Sequence, residues 1–186
     1  MMGRAGSRGF PNKNLKKVLG RRLFEYPLIA CKKSKYVDKI FVSTDCRIIT
    51  RVSKKYGAIH INRPKSLTNS KALGEQVYEH GYFKIKKILN LDSKNIEFVI
   101  LLMANAPTIT GKLIDKGINI LRKNKKFDSA VTTSIYNMWS PLRARKVDSN
   151  NLLKPFVPFK TFGNSKTLNC DRDSQGDVYY ADMSVS

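Results

Sequence analysis

The sequence is poor in the residues that usually announce metal or redox chemistry. Its three cysteines, Cys31, Cys46 and Cys170, are odd in number and widely scattered. With no Cys-x-x-Cys pair, neither a disulfide framework nor a thiolate zinc site is indicated. The two histidines, His60 and His80, are far apart in the chain and lack ligand spacing, which argues against a metal held by His and Cys. Apolar runs are short: none approaches the ~20 residues needed to span a bilayer. The N-terminus opens on Gly3, Arg4 and Gly6 instead of the apolar segment of a signal peptide. A cytoplasmic protein with no membrane partner is expected. No nucleophile–base constellation and no dinucleotide fingerprint is visible, so a serine hydrolase or a redox enzyme finds no support.

Acidic residues are also scarce. Fourteen Asp and Glu stand against 35 Lys and Arg, a formal net charge of +21. Lysine outnumbers arginine 24 to 11, and many lysines fall where helices should end, as at Lys54-Lys55 and at Lys123, Lys125 and Lys126. There they suit the helix dipole and a solvated face. A reader of nucleic acid would favour arginine interleaved with aromatics. No specific nucleic-acid partner is therefore expected; a general attraction for phosphates is. At 186 residues with 41% hydrophobic content, the chain suits one globular domain spanning 1–186.

Apolar runs of strand length alternate with stretches of helical period. Lys39 to Ser43 reads as a buried strand stopping at Thr44-Asp45. Ile48, Ile49, Val52 and Tyr56 then repeat at helical spacing up to Gly57. Ala58 to Ile61 reads as a strand, Ala72 to Leu89 as a helix, and Phe98 to Met103 as the strongest strand of the chain. Thr110 can cap a helix whose inner face is Ile114, Gly117, Ile118 and Leu121. Ser129 to Thr133 is a further strand. From Tyr136 to Asp177 prolines and scattered aromatics break the period, giving an excursion of loops and short strands suited to substrate or subunit contacts; Val178 to Val185 resumes as a strand. The alternation predicts an α/β fold, a Rossmann-like three-layer domain with a mostly parallel sheet. Ligands of such sheets bind beyond the carboxyl ends of the strands. Because only Met1-Met2 precede Gly3, and the chain stops inside a strand-like segment, both ends are expected to be truncated.

The segment from Gly3 to Lys16 is the most informative. Glycines at 3, 6 and 9 let the backbone turn tightly and approach a ligand without a Cβ in the way. Successive N–H groups can then form an anion-binding nest. Arg4, Arg8 and Lys13 add charge, and Ser7 and Asn14 add hydrogen-bond donors. The pattern is neither GxxxxGK[ST] nor GxGxxG. Followed at once by Phe10-Pro11-Asn12-Lys13-Asn14 and apolar-periodic sequence, it reads as a loop that grips the phosphates of a nucleoside triphosphate.

This run resembles the N-terminal signature of the acylneuraminate (sialic acid) cytidylyltransferases, roughly A-R-G-G-S-K-G-I-P-x-K-N. The likeness continues in order through Leu23 to Tyr26 after the Gly20 turn, Val42-Ser43-Thr44-Asp45, Tyr56-Gly57-Ala58, Arg63-Pro64, and Leu101-Leu102 to Pro107 where the family has L-L-Q-P-T-S-P. It implies a nucleotidyltransferase that joins CTP to an acidic sugar, an N-acylneuraminate or related nonulosonic acid, releasing pyrophosphate. It further implies Mg2+, with ligands outside this chain, and a homodimer. By resemblance Arg4, Ala5, Gly6, Ser7, Arg8, Lys13 and Asn14 contact the triphosphate, Lys13 and Arg4 doing the catalytic work. Arg63 lies near the nucleotide and Asn105 at the sugar end. The chain departs from the pattern at Met103, which replaces glutamine, at Asn105-Ala106, which replace Thr-Ser, and at Gly74, where a serine is expected. Asp171, Asp173, Asp177 and Asp182 are the acidic residues toward the C-terminus and read as loop residues, not ligands. Two alternatives stay open: the same fold acting on another nucleotide or a sugar phosphate, and a nucleotide- or nucleic-acid-binding fragment without catalysis.

Overall fold

The computed structural model describes residues 1–4, 10–69, 72–136, 139–164, 166–167, 177–182 and 185–186. The chain divides into two compact units, Met1–Thr132 with Met183–Ser186, and Thr133–Asp182.

In the first unit a short hairpin, β1 (Lys17–Val18) and β2 (Arg21–Arg22), follows the N-terminal loop and turns through Leu19 and Gly20, both at positive φ. Helix α1 (Glu25–Lys33) leads to strand β3 (Phe41–Thr44), helix α2 (Arg47–Lys54) and strand β4 (Ile59–Asn62), which pairs with β3 in parallel. Gly57, at φ 76°, ends the α2 turn with its N–H on the Lys54 carbonyl. Helix α3 (Gly74–Leu89) starts with the Leu73 N–H on the Gln76 side chain and stops at Asn90 in the left-handed region. Helix α4 (Gly111–Lys123) is capped by Thr110, whose hydroxyl accepts the Leu113 N–H at 3.3 Å.

Single bridges extend the sheet beyond β3 and β4. Met2 lies between Ser43 and Met103, parallel to both, and Leu102 pairs with Val185 in antiparallel sense. The order is therefore β4, β3, Met1–Gly3, Leu101–Ala104, Val185–Ser186, with the Thr132 N–H on the Val185 carbonyl at the far side. Alternation along the strands sends Val42 and Leu102 to one face and Phe41, Ser43 and Leu101 to the other. The first face carries α1, α2 and α4, through cores built on Phe24, Leu28, Val42 and Ile49 and on Leu102, Ile114 and Ile118. On the other face, Val77, Gly81 and Ile85 of α3 meet Phe41, Ser43 and Leu101 around a gap of about 40 Å3. This is the three-layer α/β arrangement expected from the alternation.

Two sequence expectations are corrected. Phe98 to Met103 forms no continuous strand: pairing begins only at Leu101, where Met2 and Ser186 supply partners, because a ladder needs neighbours on its edges. Ile48, placed on the inner face of α2, is exposed, while Ile49 and Val52 are buried; an eight-residue helix on a sheet buries only a narrow stripe.

In the second unit, β5 (Thr133–Ile135) pairs antiparallel with β8 (Tyr179–Ala181), and β6 (Arg145–Val147) with β7 (Leu153–Pro155). Ladder pairing here starts at Thr133, where the sequence suggested a strand from Ser129 to Thr133. Trp139 stacks edge-on against both Tyr136 and Tyr180, at 5.6 and 5.7 Å between centroids.

Candidate active site at the carboxyl ends of the strands

Gly3, Ser43, Asn62 and Ala104 close the carboxyl ends of four adjacent strand segments, and the residues singled out in the sequence sit on the loops that leave them. Gly3 is buried and its N–H donates to the Ser43 carbonyl. A Cβ there would stand 2.8 Å from the Ala104 Cβ and 3.7 Å from Asn14 Nδ2. The absence of a side chain is thus a packing requirement: the first glycine lets the chain pass between two strands as it enters the loop.

The same Ser43 carbonyl accepts Arg63 Nη2 at 2.8 Å, and the Ser43 hydroxyl takes Arg63 Nε at 3.3 Å. Arg63 is buried and makes no ion pair among the described residues. Desolvation pulls its pKa below the ordinary arginine value; Asp45 opposes this and the charge of Arg4 adds to it. The guanidinium is therefore a desolvated cation with a second cation nearby, an arrangement that favours an incoming anion. Arg4 hands Nη1 to the Asn69 carbonyl at 2.9 Å, and its own carbonyl accepts Asn14 Nδ2 at 3.4 Å. Asn14 is buried at the end of a single 3-10 turn, Lys13–Leu15, entered through Asn12 at φ 55°. Its Oδ1 is buried without a donor. An orphaned acceptor costs about 1–3 kcal/mol, so its persistence marks a place held for something else.

Gly3, Arg4, Asn14, Ser43 and Arg63 are thus joined in one connected cluster, with Lys13 preceding Asn14. Asn105 is exposed in the turn after Ala104, where the Ala106 N–H returns to the Met103 carbonyl. Ala5, Gly6, Ser7 and Arg8 lie outside the described residues. Met103 packs against the Leu102–Ile114 core, so the departure from glutamine is a core residue here. Sequence reasoning missed Ser43 as the anchor of Arg63; the signal was its place at the end of the V-S-T-D strand.

Beside this cluster a cavity of about 480 Å3 opens at the ends of β3 and β4. Arg47, Arg51 and Lys54 of α2 and His60 line it; His60 Nε2 stands 3.1 Å from the Thr44 carbonyl. His60 and His80, distant in sequence, meet at a second cavity of about 290 Å3. Desolvation, then the charges of Lys84 and Arg63, lower the His80 pKa. Among the described residues no three His, Cys, Asp or Glu side chains converge on one point, so these carboxylates do not compose a magnesium site. Asp177 and Asp182 instead accept hydrogen bonds from Tyr179 and Ser134, while Asp171 and Asp173 lie outside the described residues. No helix among the described residues is long and apolar enough to cross a membrane.

The family model described as Cytidylyltransferase matches residues 2–185, nearly the whole chain. The chain belongs to the cytidylyltransferase family. It is 24% identical over 168 residues to a pseudaminic acid cytidylyltransferase and UDP-2,4-diacetamido-2,4,6-trideoxy-beta-L-altropyranose hydrolase of Helicobacter pylori, covering 90% of this chain and 30% of that one. It is 28% identical over 155 residues to a CMP-N,N'-diacetyllegionaminic acid synthase of Legionella pneumophila, covering 82% and 63% respectively. Against a pseudaminic acid cytidylyltransferase of Campylobacter jejuni it is 27% identical, covering 82% and 64%. The chain thus spans less than two thirds of the length of these relatives. Among solved structures it resembles CMP:2-keto-3-deoxy-manno-octonic acid synthetase complexed with CTP, with a TM-score of 0.54 and 16% identity over 73% of this chain and 51% of that one. That likeness establishes the nucleotidyltransferase fold.

Proposed function

We propose that this member of the cytidylyltransferase family transfers CMP from CTP to an acidic sugar, an N-acylneuraminate or related nonulosonic acid, with release of pyrophosphate. The observation that carries the reading is the buried Arg63, held by Ser43 beside Arg4, Gly3 and Asn14 and without an ion-pair partner among the described residues. A polyanion is the ligand whose charge such a cluster offsets. The sugar specificity is supported by the names of the relatives, which act on pseudaminic and legionaminic acids.

In this reading the anomeric hydroxyl of the sugar attacks the α-phosphorus of CTP. The hydroxyl proton is released, the bond between the α-phosphorus and the bridging oxygen breaks, and pyrophosphate leaves with the electron pair. The protein's task is to neutralise charge and align the attack, not to supply a covalent nucleophile. Lys13 and Arg4 stabilise the departing pyrophosphate. Ala5, Gly6, Ser7 and Arg8 wrap the phosphates with N–H groups, a hydroxyl and a guanidinium. Asn14 fixes the loop and offers its amide to the nucleotide; Arg63 sits toward the nucleoside, and Asn105 meets the sugar acid. Mg2+ is part of the family reading and is tested below. The protein works as a homodimer in the cytoplasm; the exposed apolar residues of the second unit support the dimer, and a monomer mass at micromolar concentration would count against it.

Calorimetric titration with CTP, UTP, ATP and GTP, with and without Mg2+, tests the assignment. CTP is expected to bind in preference to the others. In Lys13→Ala the affinity should drop about tenfold or more, as expected when a charge-assisted contact worth about 1.5–3 kcal/mol is lost. A folded sample that binds none of the four nucleotides would refute the reading.

A further inference from the structure

Behind the site, at the opposite ends of the same strands, the sheet contains a slot. Met1–Gly3 runs between β3 and Leu101–Ala104, but Met1 stands level with Phe41 and Leu102, while both flanking segments continue past it, back to Val37 and Ile96. The space between them is a cavity of about 620 Å3.

Its two edges are strand edges. The Met1 nitrogen donates to the Phe41 carbonyl, the Ser43 N–H to the Met1 carbonyl, and the Met2 N–H to the Leu102 carbonyl. In a parallel ladder the N–H and C=O of alternate residues face the same neighbour. This register turns the Phe41 N–H and Lys39 C=O into the slot from one side. It turns the Leu102 N–H and Ile100 C=O in from the other. None of these four groups has a hydrogen-bond partner among the described residues. Both faces are apolar: Cys31 and Ile118 lie on one, Ile85 and Leu89 on the other. At the inner end stands the Met1 α-ammonium, a buried cation with no carboxylate beside it.

We propose that this slot is a strand-acceptor site, taking one extended apolar peptide segment from another polypeptide. The segment runs parallel to both neighbours and ends with its free C-terminal carboxylate on the Met1 α-ammonium. Three features select this occupant. Paired N–H and C=O groups on both edges require a backbone, which a lipid or small apolar molecule lacks. Apolar residues on both faces require a continuous apolar run and not an alternating one. The buried ammonium complements a carboxylate at the only end a parallel strand can present there. At about 3.3 Å per residue, the length from Val37 to Phe41 accommodates roughly four residues.

The test leaves the protein unchanged and varies the probe. The 186-residue chain is titrated with acetyl-Lys-Lys-Ile-Val-Val-Ile bearing a free carboxylate, with its C-terminal amide, and with an alternating Ile-Ser-Ile-Ser analogue. Hydrogen exchange is followed at the Phe41 and Leu102 amides. The carboxylate peptide should bind saturably and slow exchange at both amides by about tenfold or more. The amide and the alternating analogue should each bind about tenfold more weakly, a difference of about 1.4 kcal/mol. Unchanged exchange at both amides under saturating peptide would overturn the proposal. So would equal binding of all three peptides, which would indicate a greasy surface and no strand register. Protection of both amides without peptide, together with a dimeric mass, would assign the slot to a second copy and overturn it equally.

Discussion

The two units of this chain solve the problem of apolar residues in opposite ways. In Met1–Thr132 with Met183–Ser186, Phe24, Leu28, Val42 and Ile49 are wholly buried, and helices cover both faces of the sheet. In Thr133–Asp182 the strands form isolated pairs, and Ile135, Trp139, Leu153 and Tyr179 are more than half exposed. Two-stranded ribbons are marginal by themselves, because a pair of strands has no layer against which to bury a face. The first unit stands on its own core, whereas the second presents apolar side chains for contact. Such division of labour fits a catalytic body carrying an interaction element, as the proposed dimer requires.

The largest expected effect sharpens this contrast. Leu28→Ala should cost about 2–5 kcal/mol, since it empties a fully buried site. Leu153→Ala, at a residue 70% exposed, should change monomer stability by less than about 0.5 kcal/mol and weaken self-association instead. Urea unfolding and sedimentation equilibrium on both variants separate the outcomes. Equal losses of stability would break the comparison.

Next comes the buried N-terminus. Burial lowers the Met1 ammonium pKa from 8.0 to about 6, with the Arg63 charge adding to the shift and Cys31 opposing it. Between these values the unfolded chain holds a proton that the folded chain has lost. Stability therefore rises with pH across this window, by about 2.7 kcal/mol at 1.36 kcal/mol per pKa unit. Below pH 6 both states are charged and the full cost of burying the ammonium remains. Above pH 8 both are neutral and that cost is gone. Urea midpoints at pH 5.5 and 8.5 should show the rise, and a chain acetylated at Met1 should lose it.

The smallest effect concerns how closely the body is packed. A Cβ on Gly111 would meet the Lys33 carbonyl carbon at 2.6 Å, where α4 starts against the end of α1. Gly111→Ala should therefore cost about 1–3 kcal/mol. On the same helix Gly117 has room, its nearest neighbour being Ala130 at 3.9 Å. Gly117→Ala should stabilise by about 0.5–1 kcal/mol through helix propensity. Thermal unfolding of the pair tests it; the same sign for both would mean that α1 and α4 can move apart.

Much of the body was legible in the sequence because period and punctuation were strong there. Val42 with its neighbours, Thr110 as a cap and Gly57 as a stop each act through local rules. The fate of Phe98 to Ile100 was not legible: its apolar run reads as a strand, yet pairing depends on what lies alongside. The same limit applies to the site. Arg4, Lys13 and Asn14 stand out because charge and glycine are crowded into one short loop, whereas Ser43 gave no chemical sign that its carbonyl anchors both Gly3 and Arg63.

The sequence by itself determined the α/β alternation, the glycine-rich loop and the membership that its ordered motifs express, because helix and strand periods and short-range turn chemistry are written locally. Only the tertiary structure decided that Arg63 is a desolvated cation beside Arg4, that Met103 belongs to the core, and that an open slot lies behind Met1. Burial, strand register and the meeting of residues more than forty positions apart are properties of packing, and no window of sequence contains them.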